Sequence, residues 1–334
     1  MNQVQETSVT GKNERKHVNV RKLIANHSAI FAFLILFVVA VMLRGRVFLS
    51  MNNIMNILMN NSIIGIIALG MTLIIITAGI DLSVGSQLAA TGLISMTILN
   101  STQNIFLGIV AALAAGLLFG AVTGGLVSRF GVPAFIVTLG TMQIYRSVAE
   151  YYFNGGGVLV KGNSSDAFTA ISNTKVFGIL PMPVIYWFIL CLIISLVAKR
   201  TAFGRHVYAV GSNERASFLS SINVNRVLIM VYALSGVLVA VASVIEASRL
   251  GSMNSASSGS GYEMDAIAAV VIGGTAMAGG RGTILGTVFG TLTLGIINNL
   301  MNLMGVPSFL VGAIKGLIII GAVLVQRSVS KNEG

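Results

Sequence analysis

Residues 199–226 read KRTAFGRHVYAVGSNERASFLSSINVNR, the longest charged interruption in an otherwise apolar chain. The stretch holds five of the 21 Lys and Arg residues and no proline. Apolar runs close on it from both sides, VIYWFILCLIISLVA before and VLIMVYALSGVLVAVASVI after. Lys and Arg resist translocation, so a basic polar loop between two apolar runs belongs on the cytoplasmic face of a membrane. It is too small for a domain and large for a connector. It reads as a docking element for a cytoplasmic partner, with the rest of the chain as the membrane device on which that partner works. Within it, residues 211–222 are expected to form a short helix capped by Ser212 or Asn213, with Arg215 and Phe218 facing outward.

The composition agrees. Of 334 residues, 55% are hydrophobic and only 9% charged, against about 25% charged in a soluble domain. The fold class is therefore an all-α polytopic membrane protein. About ten spans are expected, near 28–43, 58–78, 82–99, 104–127, 133–153, 184–198, 227–245, 266–277, 283–303 and 309–325. Gly79, Gly85 and Gly273–Gly274 mark broken or re-entrant pieces. The chain divides into a cytoplasmic tail (1–27), a transmembrane unit (28–326, coupling loop 199–226) and a second cytoplasmic tail (327–334). The first span has no small-residue cleavage site after it and reads as uncleaved. With both termini inside, fourteen basic residues fall on the cytoplasmic side and five outside, with Arg146 and Lys315 inside spans. This is the distribution that the positive-inside rule demands.

An internal repeat sharpens the architecture. Gly116, Phe119, Gly120, Thr123 and Gly125 recur 170 residues later as Gly286, Phe289, Gly290, Thr293 and Gly295. GVPAFIV at 131–137 returns as GVPSFLV at 305–311. Five spans separate the copies, which makes a 5+5 arrangement of inverted topology, the pattern of transporters with a solute path at the repeat interface. The glycine spacings at 116, 120 and 124 and at 282, 286 and 290 also suit close helix packing.

Chemistry for catalysis is missing. No G-x-x-x-x-G-K-[ST] occurs, so no phosphate-cradling loop is present. No Cys/His cluster stands out, Cys191 is the only cysteine, and no metal, cofactor or enzyme activity is expected. A net charge of +11 reads as topology and not as a nucleic-acid surface. Asp81 reads as the N-cap of the third span. Asn56 and Asn60, with Asn52, share one helical face, and Asn298 and Asn302 share another. Amides suit a neutral polyol better than charges do, so these four asparagines (56, 60, 298 and 302) are candidates for a translocation path, against the plainer reading of an interfacial helix and interhelical hydrogen bonds.

TAGIDLSVGS at 77–86, GRHVYAVGSNERASFLSSINVNR at 204–226 and GYEMDAIAAVVIGGTAMAGGRGTILGT at 261–287 together resemble the ribose-type permease family of ATP-binding-cassette (ABC) importers, over residues 50–326. The resemblance implies a permease of a bacterial cytoplasmic membrane that translocates a monosaccharide such as ribose. It implies a cytoplasmic ATPase, an extracytoplasmic sugar-binding protein and a second permease copy as a homodimer, all within lipid. It places ATPase docking on Gly204, Arg205, Ala209, Gly211, Asn213, Ala216 and Ile222, to which the residues themselves add Glu214 and Phe218. Where the family typically reads Ser-Gly-Ile, this chain has Ser220–Ser221–Ile222, which leaves the local backbone open there. An ion-coupled secondary carrier shares the inverted repeat and is the competing expectation. A scaffold or receptor that transports nothing is a third.

Overall fold

A membrane offers no water to unpaired amides, so an apolar chain closes its hydrogen bonds within each segment as helix. The computed structural model describes residues 28–307, 310–318 and 320–321. The helices are α1 (Ser28–Phe48), α2 (Met51–Ile76), α3 (Val84–Thr102), α4 (Ile105–Arg129), α5 (Ala134–Phe153), α6 (Ser165–Asn173), α7 (Met182–Arg200), α8 (Ala202–Ser212), α9 (Glu214–Leu219), α10 (Val224–Leu250), α11 (Tyr262–Ile272) and α12 (Ile284–Leu303). Residues 310–318 are helical as well. Two small antiparallel ladders join them: β1 (Gly157–Leu159) with β4 (Ser252–Asn254), and β2 (Lys175–Val176) with β3 (Leu180–Pro181).

Polar residues decide where helices start. Ser50, Asn104, Thr201, Asn213, Asn223 and Thr283 each accept a backbone N–H from the first turn of the helix that follows. Such caps are each worth about 1 kcal/mol.

Six helices among the described residues are long and apolar enough to cross a membrane: α1, α2, α4, α7, α10 and α12. The other expected spans coincide with more polar or shorter helices, α3, α5, α11 and the helical segment 310–318. α3 carries Ser86, Gln87, Thr91 and Ser95, all buried, and Thr91 Oγ1 donates to Ser243 Oγ on α10 at 2.9 Å. A helix sheltered by protein needs no lipid-facing stripe, so its low hydropathy is no obstacle. α11 has 11 residues, about 16 Å of rise, and follows the segment 251–261, which carries β4. The Arg146 guanidinium on α5 holds that segment, donating from Nη1 to the Ser255 and Ser258 carbonyls at 2.7 and 2.9 Å.

The glycine ladders are helix contacts. A Cβ on Gly116, Gly120 or Gly124 would strike the backbone of α10 at Gly236, Tyr232 or Ile229. One on Gly286 or Gly290 would strike α11 or the turn after it, at Gly273 or Ala269. Gly282 does not belong to the ladder, because α12 begins only at Ile284; it packs in the preceding turn against Thr275. The two repeat copies sit on helices of opposite direction. α4 ends where α10 begins, whereas α12 begins beside α8, through Tyr208 and Gly282, and ends at the opposite face with Asn299 against Asn53. That opposition is the inverted arrangement the sequence repeat implies.

Candidate functional site

The basic loop folds as two helices, α8 and α9, rather than one helix over 211–222. Asn213 ends the first and caps the second, its Oδ1 accepting Ala216 N–H at 2.8 Å. α9 stops after six residues, because Ser221 adopts a left-handed conformation, φ +64°. That is the position where the resembled family carries glycine, and the backbone keeps the glycine-like conformation with a serine in it. Glu214, Arg215, Ala216 and Arg205 are exposed, and Phe218 and Leu219 are 70% and 77% exposed. Beside them opens a groove of about 660 Å³ lined by Glu214, Arg215, Phe218 and Ile222. Unpartnered apolar side chains at the rim of a groove form a surface suited to a protein partner.

Two glycines fix this surface to the bundle. Gly204 is buried where a Cβ would strike the carbonyls of Val197 and Ala198, which lets α8 turn sharply off α7. Gly211 lies against the carbonyl of Ile76, the last residue of α2, and within reach of Gly280 N. Gly280 N–H itself donates to Ile76 O at 2.9 Å. A second tie comes from Tyr208, whose hydroxyl donates to Gly282 O at 2.8 Å, next to the start of α12. The loop therefore grips the near ends of α2 and α12 together.

The far halves of these two helices line a cavity of about 420 Å³. Asn60 and Asn61 come from α2, Asn298, Asn299 and Asn302 from α12, and Glu246 and Arg249 from α10. A reciprocal amide pair clamps its wall: Asn53 Nδ2 donates to Asn299 Oδ1 at 3.1 Å, and Asn299 Nδ2 to Asn53 Oδ1 at 2.7 Å. Arg249 donates to Asn60 Oδ1. On α11, Asp265 also faces the cavity and accepts both bonds of Lys315 Nζ, at 2.8 and 2.9 Å.

Of the four path candidates, Asn60, Asn298 and Asn302 share this cavity. Asn56 does not. It lines a separate cleft of about 500 Å³ with Asn52, Met55 and the β2–β3 hairpin, since one helical turn carries it past the rim. The sequence reading missed Asn53, Asn61, Asn299 and Glu246. The NN pairs at 60–61 and 298–299 were the available signal, since both amides of each pair line the cavity.

Asp81 is not the cap of α3. Ser83 occupies that position, and Asp81, two residues upstream and 1% exposed, accepts Ser83 N–H at 2.8 Å and Ser83 Oγ–H at 2.6 Å. The turn 77–83 needs an acceptor before the helix can begin, and the carboxylate supplies it.

Comparison with known proteins gives a consistent picture. The family model described as "Branched-chain amino acid transport system / permease component" matches residues 53–323. The ribose import permease protein of Escherichia coli K12 is 45% identical over 281 residues, 84% of this chain and 87% of that protein. The ribose import permease protein of Haemophilus influenzae is 40% identical over 317 residues, 95% and 97% of the two chains. The D-allose transport system permease protein of Escherichia coli K12 is 35% identical over 322 residues, 95% and 96%. No solved structure matches.

Proposed function

The chain belongs to this permease family, and from that premise we propose that it is the membrane-spanning subunit of an ATP-driven importer whose cargo is ribose. The ribose import permeases of two organisms, 45% and 40% identical along most of the chain, support the sugar. ATP hydrolysis falls to a partner, in keeping with a sequence that carries no phosphate-cradling loop.

The observation that carries the mechanism is the double grip of α8. Through Gly211 it touches the end of α2, and through Tyr208 the start of α12. From Ile76 to Asn61 α2 rises about 22 Å, and from Ile284 to Asn298 α12 rises about 21 Å. Both are unbroken helices, so a shift of the loop is delivered to the cavity walls without a hinge between. In this reading the ATPase seats α9 and the groove at Phe218, and closure of the ATPase on ATP pushes α8. α2 and α12 then move together. Asn60, Asn298 and Asn302 belong to the path and offer neutral hydrogen-bonding groups to a polyol. A ligand can shift such an equilibrium only through differential contact with the two states, and amides that exchange helix partners for sugar hydroxyls supply it.

The remaining assembly follows. Both termini and the α8–α9 loop lie in the cytoplasm, the β1–β4 ladder and the 154–183 segment face the extracytoplasmic sugar-binding protein, and a second copy of the chain completes a homodimer within lipid. The test is reconstitution of the permease with its ATPase and binding protein in vesicles. Ribose should accumulate with ATP and not with an ion gradient alone; uptake driven by an ion gradient with the permease alone would make it a secondary carrier. For orientation, Cys191→Ala carrying Asn163→Cys should react with an impermeant thiol reagent in intact cells. Ser212→Cys in the same background should stay unlabelled until the cells are opened.

A further inference from the structure

Glu246 stands apart from the amides around it. It lies on α10, one helical turn before that helix ends, and is 4% exposed. Tyr262, at the start of α11, lines the same cavity. The Glu246 Oε2 is buried with no hydrogen-bond partner, and on another residue of the same cavity lining Asn298 Oδ1 is buried and unpartnered as well. Leaving a carboxylate oxygen buried without a donor is costly. Two acceptors on one cavity, both lacking donors, call for a ligand that donates from more than one position.

The charge around the cavity says what kind of donor fits. Glu246 and Asp265 are offset by Arg249 and by Lys315, which is bonded to Asp265. The lining itself holds two acids and one base, and Lys315, outside the lining, pairs with Asp265, so among the described residues the charges at the cavity balance and leave no net attraction for a metal ion or an ammonium group. A neutral molecule with several hydroxyls satisfies both acceptors without disturbing that balance. The volume, about 420 Å³, is within the range of about 300–1,000 Å³ usual for small-molecule sites.

We infer that the Glu246–Asn298 cavity is a hydroxyl-reading subsite for the monosaccharide inside the permease, with Glu246 accepting from a sugar hydroxyl. This rests on the reading of the chain as a sugar importer and adds to it: the permease itself, and not only the binding protein, discriminates among sugars.

The experiment has two arms. In the first, the purified permease in nanodiscs is probed by saturation-transfer NMR with ribose and with each monodeoxyribose. Wild type should show ribose contact, and one deoxy analogue should lose it. Glu246→Gln, nearly isosteric, and Glu246→Asp, which keeps the charge but withdraws the acceptor, should weaken ribose contact by roughly tenfold or more. Neither should weaken further the analogue that lacks the hydroxyl. Thermal melting of each variant separates lost binding from lost fold, and a sodium titration that displaces ribose in wild type would assign the cavity to a cation and overturn the inference. In the second arm the complete transporter is assayed for ribose uptake. If wild type transports and both variants keep its rate, KM and preference among pentoses, the subsite does not exist although the importer does. If the wild-type complex moves no ribose, the functional reading itself fails.

Discussion

Replacing Gly211 with alanine sets two effects of opposite sign against each other. The position is helical, inside α8, and alanine in a helix interior is favoured over glycine by about 1 kcal/mol. On propensity alone Gly211→Ala should stabilise the protein. The contact says otherwise. The added methyl would overlap the Ile76 carbonyl oxygen and lie 2.8 Å from both Gly280 N and the Ile76 carbonyl carbon. All three are backbone atoms, so no side chain can swing away. Relief requires either that α8 back off from the α2 terminus or that the methyl wedge Ile76 and Gly280 apart, which stretches the Gly280 N–H···O bond to Ile76, now 2.9 Å. Overpacking of this kind costs about 1–3 kcal/mol, and a lost hydrogen bond about 0.5–1.5 kcal/mol. Against the propensity gain, the net is about 1–3 kcal/mol of destabilisation. Because the loss falls on the contact between docking loop and bundle, transport should suffer more than assembly. The expected result is a lower melting temperature in nanodiscs, retained capture of the ATPase, and ATP-driven ribose uptake reduced about tenfold. Gly125→Ala is the matched control, since its Cβ meets nothing within 4 Å and the gain should be all that remains. If Gly211→Ala melts and transports like Gly125→Ala, the α8–α2 contact is not the link between loop and cavity.

Three further outcomes follow from the same structure. Phe218→Ala combined with Glu214→Arg alters only exposed side chains, so the permease should fold and insert normally while ATPase capture and sugar-stimulated ATP hydrolysis fall; wild-type capture and transport would remove α9 from the interface. Gly286→Leu would push a branched side chain into the Gly273 carbonyl, and the yield of folded permease should drop sharply, by the same overpacking logic; a normal yield would show that α12 does not need this approach. Ser221→Gly should raise stability by about 1 kcal/mol, because a non-glycine residue in the left-handed region costs roughly 1–2 kcal/mol and glycine gives back part of that through unfolded-chain entropy. A lower melting temperature for Ser221→Gly would mean that the serine side chain, and not the backbone conformation, sets the loop.

How much was legible in the sequence depended on whether a residue's role was local. The caps and the glycine spacings act over three or four residues, and part of their reading survives: Asn213 caps α9 as one of the two expected candidates, and Gly286 and Gly290 face another backbone. α3 was harder. Gln87, Thr91 and Ser95 weaken its hydropathy, and only the surrounding helices explain why a polar span is tolerated. Asp81 was misplaced by two residues because a carboxylate before a helix caps it or organises the turn leading into it with the same composition. The cavity was least legible. Asn60 and Asn298 stand 238 positions apart in sequence, and no periodicity joins them. Asn56 matched Asn60 by helical spacing alone, yet faces another cleft.

The central loop shows why a local reading captures a surface but not a mechanism. On the proposed reading, its charge and its exposed Phe218 mark where the partner docks. What makes docking consequential is Gly211, which in sequence is one glycine among 38, and Tyr208, an aromatic inside an amphipathic turn. Neither carries a signal until α2 and α12 are brought to the same end of the bundle by a repeat of opposite polarity. The inverted repeat thus does more than place a solute path at an interface. It turns the loop end of α2 toward the loop end of α12, so that one short helix can hold both. The two helices so held are the ones whose far halves carry Asn60, Asn61, Asn298 and Asn302. A rigid helix transmits displacement along its length far better than it absorbs it, and packed interfaces switch between discrete arrangements rather than deform smoothly. On the proposed reading, gripping two such helices at one end connects ATP hydrolysis by the partner with a change of shape in a cavity more than 20 Å away.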